Sequence, residues 1–297
     1  MSSIVAILVV IFKKKVLLKI DLHCHSTCSD GALTPVELVQ RAQQMQVDVL
    51  AITDHDTVAG ISAARDYAKN SNIKLNIIAG IELSTSWHGF DIHVVGLRVD
   101  KDDCVFLKRL EGQLAERDKR AERICEKLAK CGHEGIYDAA LEIAGGAQIS
   151  RNHIARALVQ RSICTHPQQA FTKYLGKNKK AHVTPKWISI DEAIQWIHDA
   201  GGQAVLAHPG HYDMTTKWLR KLVAEFAQAG GDAMEITHPN MAAEKKKLLQ
   251  EIMFDNALLA SAGSDFHFPS RFTELGRRLD IPLSCKPVWH SWNLATT

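Results

Sequence analysis

The chain has 297 residues, 46% of them hydrophobic, which suffices for one large barrel or a core domain with an insertion and excludes a disordered chain. Its 36 basic and 33 acidic residues leave a net charge of +3, too small to mark a nucleic-acid binder without a local basic patch. Seven cysteines (24, 28, 104, 125, 131, 164 and 285) include no Cys-x-x-Cys pair, which argues for reduced thiols in the cytoplasm over a disulfide framework.

Residues 4–12 form an unbroken apolar run followed by Lys13, Lys14 and Lys15. A spanning helix needs about 20 apolar residues, and a secretory signal carries its charges before the apolar stretch. Residues 1–18 therefore read as a dispensable N-terminal extension or extra strand, with a weak membrane contact as the alternative. Short apolar runs then recur at 20–25, 47–53, 75–82, 91–97, 203–208, 232–237 and 258–264, giving seven candidate strands. Helical patterns lie between them, among them 35–45 with Thr34 as N-cap and 190–200 ahead of Gly201-Gly202. Alternation of this kind predicts an α/β fold built on a parallel barrel.

Two stretches break the alternation. Only residues 84–89 separate the third and fourth runs, too few for a crossover helix, so a hairpin is expected there. A turn centred on Trp87-His88 would set Glu82 opposite His93. From 102 to 186 no long β run appears, and Leu107, Leu110, Leu114, Ala121, Ile124 and Leu128 follow a helical period. This gives a barrel in two parts, 19–101 and 187–297, with a mainly helical insertion at 102–186.

Chemistry-bearing residues gather at the ends of the apolar runs. In Asp21-Leu22-His23-Cys24-His25, strand alternation sends Asp21, His23 and His25 to one face and Cys24 to the other, where it reads as a small core residue. Ser29-Asp30-Gly31 follows, then Thr53-Asp54-His55-Asp56, Glu82, His93, Ala207-His208-Pro209-Gly210 and Ser264-Asp265-Phe266-His267. In α/β barrels catalytic groups converge at the C-terminal ends of strands, so these side chains would meet around one pocket. Imidazoles and carboxylates without thiolate suit Mn²⁺, Fe²⁺ or Zn²⁺ better than Mg²⁺ or Ca²⁺, which prefer oxygen shells.

In order and spacing these four motifs resemble those of the PHP (polymerase and histidinol phosphatase) superfamily, over roughly residues 19–290. Arg151, His153, Ala155-Arg156, Ala170-Phe171 and Lys173-Tyr174-Leu175-Gly176 further resemble its bacterial branch of nucleoside 3',5'-bisphosphate phosphatases and the 5'-to-3' exoribonuclease RNase AM. The resemblance implies a distorted seven-stranded (β/α) barrel holding two or three divalent ions, with Mn²⁺ the leading choice. The first position would use His23, His25, Glu82 and Asp265; the second Glu82 as a bridge with His93 and His208; the third Asp30, His55 and His267. Catalysis would rest on His23, His25, Glu82, His208 and Asp265, which hold cations that lower the pKa of a bound water and neutralise phosphoryl charge.

A substrate with two phosphates needs a second anion site, and the resemblance favours Arg151 and His153 for it, with His211 as a further contact. The branch would carry Gly-Arg-Pro-His where this chain has Ser150-Arg151-Asn152-His153, and an arginine where it has His211. Lys173, Lys177, Lys179, Lys180 and Lys186 form the densest basic stretch, either an RNA track or a solvated loop. The expected activity is removal of the 3' phosphate from nucleoside 3',5'-bisphosphates, with trimming of 5'-phosphorylated short RNA. The competing readings are another phosphomonoesterase such as histidinol phosphatase, a non-catalytic module stabilised by metal, and an RNA-binding protein that happens to bind metal. No obligate protein partner is implied.

Overall fold

The computed structural model describes residues 18–294. The expectation for residues 1–18 falls almost wholly outside this range. Seven strands, β1 (Ile20–Asp21), β2 (Val49–Ile52), β3 (Asn76–Trp87), β4 (Phe90–Leu97), β5 (Gln203–Leu206), β6 (Ala233–Thr237) and β7 (Leu259–Ala262), lie side by side in chain order. Only β4 runs against its neighbours; the other pairings are parallel. Beyond the short β1 the chain still pairs with the end of β7 and the segment after it, through Leu22 N–H to Ala262 O (3.1 Å) and His25 N–H to Phe266 O (2.9 Å). The sheet thus curls into a nearly closed, distorted barrel, the α/β architecture expected.

Helices α1 (Pro35–Gln44) and α2 (Gly60–Asn70) follow β1 and β2; α7 (Ile190–Asp199) precedes β5, and α8 (Thr216–Gln228) and α9 (Ala243–Asp255) precede β6 and β7. Thr34 caps α1 in a capping box with Glu37, and Ser189 does the same for α7 with Glu192. These satisfy backbone N–H groups that a helix start leaves unpaired. Leu38, Val39, Ile61, Ile194 and Ile197 on the inner helix faces pack with Leu50, Ile81 and Leu206 of the strands in one core.

Between β4 and α7 lie α3 (Cys104–Lys130), α4 (Ile136–Ala144), α5 (Arg151–Gln160), the single turn α6 (Pro167–Ala170) and a π-helical turn at Phe171–Leu175. Helix α3 serves two cores. Phe106 and Leu110 near its start belong to the barrel core, whereas Ile124, Cys125 and Leu128 pack with Ile136, Ile154 and Leu158 in a second hydrophobic cluster.

The hairpin exists, but its turn is His88-Gly89, one position later than expected. Both residues have positive φ (46° and 78°), as a two-residue turn matching strand twist requires, and Gly89 meets that need without a side-chain penalty. Ser84 therefore faces His93, and Glu82 faces Val95. A register change of one pair keeps each side chain on its face, so Glu82 and His93 still meet diagonally, Oε1 to Nδ1 at 2.9 Å.

Candidate metal centre

Loops at the C-terminal ends of the parallel strands, together with Glu82 within β3 and His93 within the antiparallel β4, bring the nine predicted ligand residues together. His25 Nε2 lies 3.2 Å from His23 Nε2, 3.2 Å from Asp265 Oδ1 and 3.3 Å from Glu82 Oε2. Glu82 is fully buried at the centre; its Oε1 lies 2.9 Å from His93 Nδ1 and 3.0 Å from His208 Nε2. Asp30 Oδ1 lies 3.2 Å from His267 Nε2 and 3.8 Å from His55 Nε2. The donors fall into overlapping groups: His23, His25 and Asp265; His55, Glu82 and His93; and His25, Asp30, His55 and His267.

This partition differs from the implied one: His25 and His55 each join a second group, Glu82 leaves the first, and His208 falls in none although its Nε2 lies 3.0 Å from Glu82 Oε1. His55 directs Nδ1 to Glu82 Oε2 at 2.9 Å and Nε2 towards Asp30, so it stands between the second and third groups. His25 likewise turns Nε2 to Glu82 and Asp265 while Nδ1 lies 4.0 Å from Asp30. Ring orientation cannot be read from sequence spacing, because each imidazole has two donor atoms on opposite edges.

The fit to cations can be tested on unpartnered atoms. Asp30 Oδ1, Glu82 Oε2, His55 Nδ1 and His267 Nε2 are buried without a hydrogen-bond partner, although Asp30 faces His267 and Glu82 faces His55. Such atoms are costly unless something satisfies them. Divalent cations would do so, and the imidazole and carboxylate donors fit them. Burial opposes the charge on Glu82, yet His93, His55 and His23 hold it well below the usual carboxylate range. Burial likewise opposes charge on His267, but Asp30 and Asp265 raise it to about 10. At His55 burial prevails over Glu82 and Asp30 and pushes the ring down to about 4.

Several supporting residues escaped the sequence reading. Glu235 on β6, only 1% exposed, accepts from His23 Nδ1–H at 2.8 Å and from His208 N–H at 2.6 Å. It thereby turns Nε2 of His23 towards the cluster, the role of an outer carboxylate at a metal-binding histidine. A carboxylate in the apolar strand Ala233-Met234-Glu235-Ile236 was the available signal. Asp54 accepts from Ser26 N–H (2.8 Å) and Ser29 Oγ–H (2.6 Å) and so ties the Asp30 loop to β2. Asp21 does not reach the cluster; it accepts from the backbone N–H groups of Ser264 and Gly276. Strand β1 ends at Asp21, so simple alternation does not extend from it to His25. Cys24 points away, its thiol donating to Ala51 O. All seven cysteines are free.

His208 and Asp265 have φ of 31° and 50°, a left-handed conformation that costs a non-glycine residue about 1–3 kcal/mol and that clusters at functional sites. Close packing behind the ligands is as demanding. A Cβ on Gly263 would lie 2.1 Å from the Cβ of His23, so only glycine lets β7 pass that close.

The donors open onto a cavity of about 340 Å³, whose far wall is made by α3, α5 and the hairpin. Three guanidinium groups stand there. Arg117 donates to Asp56 Oδ2 (2.5 Å) and Ser84 Oγ (2.6 Å); Arg120 donates to Val183 O (3.2 Å) and Asp91 (3.3 Å); Arg151 lies 3.5 Å from Asp91. Trp187 stacks under Arg117 and Arg120, with ring centroids 5.2 and 5.5 Å away, and Phe171 lies under Arg151. Burial, then the neighbouring Arg151, pulls Arg120 down to about 10, so crowding of positive charge is felt. Arg117 and Arg120 share the inward stripe of α3 with Leu110, Gln113 and Ile124, an apolar-face position that was the unused signal for them in the sequence.

Of the expected substrate contacts, Arg151 and His211 line the cavity and His153 does not. His153 sits at the third position of α5, buried, and its Nδ1 accepts from Ser150 N–H at 3.1 Å, so its ring is spent on capping the helix. Asn152 reaches the cluster instead, donating to Asp30 Oδ2 at 2.7 Å. Lys173, Lys177, Lys179, Lys180 and Lys186 are exposed and none lines the cavity. No helix among the described residues is long and apolar enough to cross a membrane.

The chain is 44% identical over 272 residues to the "5'-3' exoribonuclease Rnm" of Salmonella typhimurium, covering 92% of this chain and 93% of the relative. It is 36% identical to the "3',5'-nucleoside bisphosphate phosphatase" of Chromobacterium violaceum, covering 91% and 95%. Among solved structures, an amidohydrolase from Chromobacterium violaceum, with bound sulfate and no metal, superposes with a TM-score of 0.85 at 35% identity over 92% of this chain and 95% of that one. The family model of the PHP domain matches residues 21–238, and the chain belongs to the PHP-domain family.

Proposed function

We propose that the chain is a metal-dependent phosphoesterase that removes the 3' phosphate of nucleoside 3',5'-bisphosphates and trims 5'-phosphorylated short RNA in the 5'-to-3' direction. The observation that carries this reading is one cavity with cation-type His, Asp and Glu donors on one side and Arg117, Arg120 and Arg151 on the other. Against three guanidinium groups stand Asp56 and Asp91, so one positive charge is left for a substrate. Bidentate guanidinium groups suit phosphate. Relatives named as exoribonuclease and as bisphosphate phosphatase support the same substrate class.

Bound divalent cations would supply charge neutralisation at the phosphoryl group and a water of lowered pKa. The chain's own residues set the geometry. His23, His25, Glu82 and Asp265 would hold the central position, with His93, His208, Asp30, His55 and His267 around it. Arg151 is the least engaged guanidinium and would take the phosphate remote from the cluster, while Trp187 and Phe171 give the cavity an apolar side for sugar and base. Mn²⁺ is the proposed ion, on the mixed donor set, and a reducing cytoplasm the proposed compartment, on the free thiols. A positively charged wall opposes an amine, which disfavours histidinol phosphate.

The test is phosphate release from adenosine 3',5'-bisphosphate by metal-stripped protein reloaded with Mn²⁺, beside His23→Ala and a 5'-phosphorylated RNA oligomer. Release that needs both metal and His23 is expected. No release from either substrate at confirmed metal occupancy, or faster release from histidinol phosphate, would overturn the assignment.

A further inference from the structure

Two aromatic side chains stand in solvent on the loop that follows His267, a residue of the donor cluster. Phe268 is 59% exposed and Phe272 58%, on the loop that leaves His267. Burying a Phe contributes about 1.5–3 kcal/mol, so a fold gains nothing by presenting two at its catalytic rim. Phe268 is one chain step of about 3.8 Å from a metal-type ligand, and Phe272 is at most about 18 Å away along the chain.

The loop is braced. Ser270 Oγ accepts from the N–H groups of Phe272 (3.2 Å) and Thr273 (2.9 Å), and Asn240 Nδ2 donates to Phe272 O at 2.6 Å. Arg278 in turn donates to Asn240 Oδ1, and Arg277 to Arg271 O. Basic charge accompanies the rings: the Arg271 guanidinium lies 4.5 Å from the Phe272 centroid. Aromatic faces interleaved with arginine, on a braced loop that runs directly from the cavity-lining His267, match the chemistry of a single nucleic-acid strand, whose bases stack while its phosphates meet the cations.

Position adds direction. The arginine wall is tied to β3 and β4 through Ser84 and Asp91, whereas Phe272 is braced from the loop after β6 and Phe268 follows β7. We infer that Phe268 and Phe272, with Arg271, form a stacking platform for the RNA nucleotides on the 3' side of the bond cut at the cluster. This rests on the reading above. The 5' phosphate would face Arg151, the bond to be cut would sit at the metal donors, and the remaining strand would leave over the phenyl rings. A mononucleoside 3',5'-bisphosphate ends at the metals and never reaches the platform.

The discriminating experiment compares wild type, Phe268→Ala/Phe272→Ala and Phe268→Trp/Phe272→Trp on a 5'-phosphorylated RNA pentamer and on adenosine 3',5'-bisphosphate. Phe254→Ala, an exposed aromatic at the end of α9, serves as the surface control. The alanine pair should raise KM for the pentamer at least about fivefold, from the usual worth of base–aromatic stacking, and leave the bisphosphate unchanged. The tryptophan pair should retain pentamer KM. A second readout is fluorescence anisotropy of a 3'-labelled pentamer with chelator-treated protein, where Arg271→Glu should flatten the salt dependence of binding. If wild type cleaves both substrates and the alanine pair changes neither KM, or changes both alike, the platform is refuted. A change confined to the mass of the protein in solution, with both KM values intact, refutes it too and assigns the rings to self-association. If wild type cleaves neither substrate, the proposed function fails first.

Discussion

Glu235→Gln tests whether the metal centre depends on an outer carboxylate that binds no ion itself. Glu235 accepts two hydrogen bonds, from His23 Nδ1–H at 2.8 Å and from His208 N–H at 2.6 Å. Glutamine keeps the volume but has only one acceptor oxygen. If that oxygen stays on His23, the amide NH₂ faces the His208 N–H, two donors opposed in a buried site. If it turns to His208, the NH₂ donates to Nδ1 and moves the imidazole proton to Nε2, the atom that faces Glu82 and Asp265. Either arrangement harms the ligand set. Leaving a buried polar group unmatched costs about 1–3 kcal/mol, and loss of an outer partner of a metal-binding histidine lowers affinity about 10- to 100-fold. The assay is competition for Mn²⁺ or Zn²⁺ between metal-stripped protein and a chelator of known affinity, with circular dichroism to show that the fold is retained. Affinity within about twofold of wild type would refute the reasoning, because it would mean that the tautomer of His23 is set elsewhere.

Gly263→Ala should be more damaging than a typical surface change, since its Cβ would meet the Cβ of His23 at 2.1 Å and Glu235 Oε1 at 2.9 Å; a loss of at least about 1–3 kcal/mol in chemical denaturation is expected. Arg151→Ala should raise KM for adenosine 3',5'-bisphosphate about tenfold or more, from the worth of a charged hydrogen bond, with little effect on a nucleotide phosphorylated only at the 3' position. In metal-free protein His267 is raised from about 6.5 to about 10 by Asp30 and Asp265 against burial, so its contribution is complete below about pH 6.5 and disappears as pH rises towards 10. Thermal unfolding should therefore show metal-stripped protein losing stability across that window while metal-loaded protein does not. Because that proton must leave before a cation binds, metal uptake should release protons and tighten with pH, as calorimetry in two buffers would show.

Sequence alone carried the barrel and which side chains gather at its end, for a local reason. Apolar runs of strand length end in short motifs such as His23-Cys24-His25 and Ser264-Asp265-Phe266-His267, and strand ends of one barrel face must converge. The start of α1 was equally legible from Thr34, and Ser189 with Glu192 three residues on carried the same signal for α7 without being read. What needed the tertiary structure is whatever depends on groups distant in the chain. The hairpin register turned on the positive φ of His88, which no periodicity reports. Which edge of His25 and His55 faces which carboxylate follows from ring packing, and His153 was drawn into capping α5 while Asn152 reached Asp30. The arginine wall exists because α3 leaves the barrel core and carries Arg117 and Arg120 back over the cavity, against Asp56 and Asp91 of the first barrel half. A sequence names the charges, but only the packed chain decides which of them face one another, since electrostatic pairing depends on separation and burial and these are properties of the fold.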